Sequence, residues 1–149
     1  MEQGGDARPA ATEASGAELA LQLTCEVAPS AQEMRAVRTR LRTLLEQWQL
    51  EDRLANGVLD VADELLVNAH QHGAPPVRLT VSSGTNEIRV DVRDGTTSPA
   101  RLLPYRPGLS EHGLGLQLVR QLSSQWGQTT DDSGKSVWAA FARRPPRTA

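Results

Sequence analysis

The sequence predicts an α+β domain of two layers, with helices on one face of a mixed, mostly antiparallel sheet. Three observations carry that expectation. Some short runs alternate apolar and polar residues, as half-buried strands do. Longer runs repeat apolar residues at spacings of three and four, as amphipathic helices do. The elements follow the order βααββ, long loop, αββ, without strict strand–helix alternation.

The first strand is read in "ELALQLTCEV" (18–27), where Leu19, Leu21, Leu23, Cys25 and Val27 alternate with polar residues. Pro29-Ser30 then supplies a turn and a helix cap. Met34, Val37, Leu41, Leu44, Leu45 and Trp48 mark one helix over 31–48. Leu54, Val58, Val61, Ala62, Leu65 and Ala69 mark a second over about 51–71, ended by Gly73. "VRLTVSS" (77–83) and "EIRVDVRD" (87–94) read as a hairpin closed by Gly84-Thr85-Asn86. Residues 95–112 show no period, and a loop that long in a compact domain is usually functional or disordered. "GLGLQLVRQLSS" (113–124) reads as a helix with glycines at its start. "QWGQTTDD" and "KSVWAAFA" then form a second hairpin around Ser133-Gly134.

The chain of 149 residues suits one domain. Residues 1–16 lack periodicity and read as a disordered tail, 17–143 as the domain, and 144–149 as a short basic tail. A net charge of −2 with both signs interspersed offers no basic field for a nucleic-acid partner. No run of about 18 apolar residues is present, so no membrane partner is expected. The N-terminus does not read as a signal peptide. One cysteine, Cys25, forms no internal disulfide and is expected to be a small buried hydrophobe. A reducing, cytoplasmic setting is the default expectation.

Four short motifs could carry chemistry. In "DELLVNAHQHG" (63–73), Glu64 and Asn68 lie one helical turn apart on the border of the apolar stripe. A carboxylate there can act as a general base, and an amide oxygen suits Mg²⁺. Taken alone, the pair is better explained as a solvated helix face. Asp94-Gly95 ends a strand and can be a simple turn. Alternatively, Asp94 accepts a hydrogen bond from an exocyclic amine while Gly95 lets a ring approach the backbone. Gly113 and Gly115 bracket Leu114 where loop becomes helix, and free N–H groups there favour an anion. Flexible loop closure would explain those glycines too. In "SGKSVW" (133–138), Lys135 and Ser136 can offer a cation and a hydroxyl to a phosphate or a water, or belong to a hairpin turn. His70 and His72 point about 200° apart on a helix and do not converge on one metal ion.

In this order and spacing, "ELLVNAHQHG", "RDGTTSP", "HGLGLQLV" and "GKSVW" resemble the Bergerat ATP-binding fold. That fold is shared by histidine kinases, DNA gyrase, the ninety-kilodalton heat-shock chaperones and mismatch-repair ATPases. The chain is most similar to the compact bacterial branch that contains anti-sigma-factor serine/threonine kinases. The resemblance spans about residues 18–142. It implies ATP and Mg²⁺ as ligands, Glu64 as general base and Asn68 as the Mg²⁺ holder. It implies Asp94 and Gly95 at the adenine, and Gly113, Leu114 and Gly115 at the phosphates. Ser136 would be the supporting hydroxyl and residues 95–112 the lid. Arg101 and Arg106 in the loop match no motif. The family's adenine box is often Asp-x-Gly-x-Gly, whereas residues 94–98 read Asp-Gly-Thr-Thr-Ser.

By the same resemblance, the γ-phosphate goes to a serine or threonine of an anti-sigma-antagonist protein. A sigma factor is the competing partner, and a homodimer is possible. The alternative is a nucleotide-gated partner-binding module without kinase activity.

Overall fold

The computed structural model describes residues 21–97 and 111–143, with the backbone alone over 111–115. Five strands and three helices follow the expected order: β1 (Gln22–Glu26), α1 (Ala31–Gln47), α2 (Asp52–His72), β2 (Arg78–Ser83), β3 (Glu87–Asp94), α3 (Glu111–Leu122), β4 (Gln125–Asp131) and β5 (Gly134–Ala142). The two tails and most of the long loop, with Arg101 and Arg106, lie outside the described residues.

The two-layer α+β class holds, but the sheet is not mixed. Its order is β1-β2-β3-β5-β4, and all four pairings are antiparallel. The connections explain why. Two helices separate β1 from β2, so the chain arrives at β2 running the opposite way. One helix separates β3 from β4, so those strands run the same way. β5 then returns between them, antiparallel to both, and no parallel pair forms.

Register sorts the side chains into two faces. Leu23, Val81, Val90 and Ala139 form one row across the sheet, and Cys25, Leu79, Val92 and Val137 the next. These rows meet the stripe Val58, Val61, Ala62, Leu65 and Ala69 of α2, with Val37, Leu41 and Leu45 of α1 and Leu116 and Val119 of α3. Cys25 is only half-buried, because β1 is an edge strand, though it packs against this core.

Local chemistry sets the helix ends. The Ser30 hydroxyl accepts from the Glu33 amide at 3.1 Å, capping α1 as the sequence suggests. α1 ends without glycine, and Gln49 takes the left-handed conformation instead, at φ 59°. His70 donates from Nε2 to the Val27 carbonyl at 2.9 Å, tying α2 to the end of β1. Its role is structural, and no group of potential metal ligands forms among the described residues.

Leu65 is 1% exposed at the centre of this contact. Leu65→Ala should lower unfolding free energy by ~2–5 kcal/mol in urea denaturation, with the chain still folded.

Candidate functional site

The apolar rows stop at one end of the sheet, where the next row on the helix-facing side is charged. Asp94 and Lys135 are register partners on β3 and β5. Their side chains are 1% and 2% exposed, with Lys135 Nζ 3.4 Å from Asp94 Oδ2. Asp94 Oδ1 accepts from the Thr96 amide at 2.8 Å and more loosely from the Ala74 amide at 3.4 Å. The carboxylate thus has two amide donors and an ammonium counter-charge, as a buried charge requires.

Glycines from three segments make room for it. A methyl group added at Gly73 would overlap the Asp94 carboxyl group, and one at Gly134 would overlap its backbone carbonyl. One at Gly95 would come 2.6 Å from the Pro75 carbonyl oxygen. The Gly95 amide also donates to the Ala74 carbonyl at 2.6 Å. Gly73 is therefore not a left-handed helix cap. Its φ is −101°, and the close passage of Asp94 is what excludes a side chain. At Gly95 the group approaching the backbone is the chain's own 74–75 segment.

Asp94 therefore sits against the C-terminal end of α2. Asn68 and Glu64 follow on that helix, roughly 7 and 13 Å back along its axis from Gly73 at 1.5 Å per residue. Both are half-buried on the border of the apolar stripe. The next element after β3 is α3, which packs against α2. α3 begins at Glu111, two residues before the expected start. Gly113, Leu114 and Gly115 thus fall within its first five residues, and the amide of Gly113 is among the four that a helix leaves unbonded at its start.

Ser136 is the site candidate that the fold sets apart from the others. Strand alternation turns it to the opposite face of the sheet from Asp94 and Lys135. There Arg93 Nη1 donates to its hydroxyl at 3.4 Å, and the hydroxyl in turn bonds to Asp91. Burial pushes the Asp91 carboxyl up, while Arg89 and Ser136 pull it back. The residue that shares the site's face is Lys135, and the same alternation points to it: Val137, Ala139 and Phe141 are core residues, and Lys135 has their parity. Its charge is offset by the Asp94 carboxylate beside it.

On the outer face, Arg93 Nη2 reaches Asp131 at 2.7 Å and the Ser133 hydroxyl at 2.8 Å, pinning the turn that presents Lys135. The Arg93 guanidinium, with the Ser133 amide and hydroxyl, holds the Asp131 carboxyl at about 2, below its ordinary value of 3.8.

A family model for the histidine kinase-like ATPase domain matches residues 27–141. The chain belongs to that family, an ATP-binding one. A similar solved structure is that of the RsbU and RsbW domains of Rv1364c from Mycobacterium tuberculosis. It is 19% identical with a TM-score of 0.63, over 86% of this chain and 34% of that one. The likeness is one of fold, and the chain spans about a third of that structure's length. No curated protein matches the chain. Among the described residues, no helix is long and apolar enough to cross a membrane.

Two predictions follow from this geometry. Gly73→Ala should destabilise the protein by ~1–3 kcal/mol through overpacking against Asp94, while Gly84→Ala, whose methyl would meet only the Glu87 carbonyl oxygen at 3.6 Å, should stay within ~0.5 kcal/mol; urea denaturation of both variants compares them. The Asp131 carboxyl should titrate near 2 by NMR and move toward 3.8 in Arg93→Ala. Its folded value lies below the unfolded one, so its contribution to stability is present above about 3.8 and is lost as pH falls toward 2.

Proposed function

We propose that the chain is a regulatory protein kinase that binds Mg·ATP along α2 and transfers the γ-phosphate to a serine or threonine of an anti-sigma-antagonist protein. One observation carries the reading: α2 holds Glu64 and Asn68 half-buried on one border and ends directly against the buried Asp94. Membership of the ATPase family supports it.

The donor set fits the ligand. A carboxylate and an amide oxygen on neighbouring turns are hard oxygen ligands of the kind Mg²⁺ accepts in small number beside phosphate oxygens. When bound, the ion neutralises charge developing on the phosphates. Asn68 would hold it. The amide of Gly113, in the first turn of α3, would face phosphate oxygens, favoured by the helix dipole. Asp94 would take the base end. Glu64 would accept the proton of the incoming hydroxyl as its oxygen bonds to phosphorus, and ADP would leave with the electron pair of the broken bond. The remaining contribution is positioning, since Glu64 and Asn68 lie on α2 and Asp94 on the end of β3.

Glu64→Gln should retain ATP affinity within about threefold and lower phosphotransfer by about a hundredfold or more, the scale of general-base catalysis. Asn68→Ala should remove the Mg²⁺ dependence of binding. Calorimetry and radiolabel transfer to a captured antagonist protein read the two effects. Undiminished transfer by Glu64→Gln would remove it as the base. Nucleotide-dependent partner retention with no transfer by the unaltered protein would favour the gated binding module.

A further inference from the structure

The two oxygens of Asp94 have different company. Oδ1 is held by the Thr96 and Ala74 amides. Oδ2 faces the ammonium of Lys135 at 3.4 Å. Gly73 walls the carboxylate so closely that a methyl group there would overlap it, and Gly134 packs as tightly against the Asp94 backbone carbonyl. A purine amino group that donates to Asp94 needs the oxygen the backbone leaves available, and the Lys135 ammonium already lies against that oxygen.

We propose that Lys135 is the specificity-determining residue of the base subsite, making it accept a 6-oxo purine as readily as a 6-amino one. This deepens the nucleotide reading and rests on it. A 6-amino group brings hydrogen-bond donors to a place where an ammonium already has three. One donor must turn away, in a setting where an unmet donor is costly. A 6-oxo group brings an acceptor to the same place, and Lys135 has donors left for it. Asp94 keeps its backbone amides in either case, so the carboxylate stays satisfied while the ammonium chooses its partner.

If Lys135 served only to neutralise Asp94, base preference would not depend on it. The first test is calorimetry of the unaltered protein with the magnesium salts of ATP, inosine triphosphate and purine riboside triphosphate, which has no substituent at the 6-position. The expected affinities for the two substituted bases agree within about threefold, and loss of the amino group costs no more than that. Lys135→Thr should then raise preference for ATP over both other ligands to about tenfold or more, the worth of one hydrogen bond to a charged group.

An unaltered protein that already favours ATP tenfold over the ligand without the amino group overturns the assignment. So does a folded Lys135→Thr variant with unchanged ratios. That variant leaves Asp94 buried without its counter-charge, so the three-ligand comparison on the unaltered protein decides alone if it fails to fold. Absence of binding to all three ligands overturns the nucleotide reading and this inference together, an outcome distinct from binding with the wrong base preference.

Discussion

A carboxylate and an ammonium buried side by side at the end of an apolar sheet face define one end of this fold's layer interface. Taking two charges out of water costs several kcal/mol each in general, and their attraction offsets this only with good geometry and further hydrogen bonds. Here the further bonds come from Thr96 and Ala74, on the two segments that flank the end of β3. The ion pair therefore constrains three connections at once: the exit of α2, the exit of β3 and the β4–β5 turn. The glycines at 73, 95 and 134 are the steric counterpart of that convergence.

The outer face of the sheet carries its own polar layer. Arg89 lies 4.3 Å above the Trp138 ring, and Arg93 links Ser136 to the turn at Asp131 and Ser133. These contacts hold β5 in the register that turns Lys135 inward. At the other end of β5, Arg143 donates to the Trp48 carbonyl at 2.9 Å and to the Ser83 hydroxyl, tying the strand's exit to the end of α1. Both ends of β5 are thus fastened by arginines, and the site lies at the end nearer the turn.

Much of this architecture was legible in the sequence because period-two and helical patterns are strong where one face is buried. β3 and the two central helices fall within one or two residues of their expected bounds. Glu64, Asn68 and Asp94 could be singled out because motif order and spacing survive without coordinates. Pairing direction could not be read so easily, since a β4 that runs parallel to β3 becomes a neighbour only if β5 does not intervene. Ser136, taken as a supporting hydroxyl by the resemblance, falls on the other face of the sheet because it alternates with core-facing Val137. Lys135 is the converse case: a long charged residue in a core-facing position, intelligible only once its register partner is known to be Asp94. The steric need for Gly73 depends on a residue 21 positions later and leaves no local trace.

The Trp138 indole rests so closely over Gly127 that a methyl group there would come within 2.8 Å of the ring. Trp48 is buried in the core at the end of α1, and Trp126 packs partly against that core from β4. The three indoles therefore form a set of built-in optical probes in three settings. Trp138 senses the cation above it on the outer surface, on the far side of the sheet from Asp94. Quenching of its emission would report what lands on that surface, while Trp48 would register loosening of the interior.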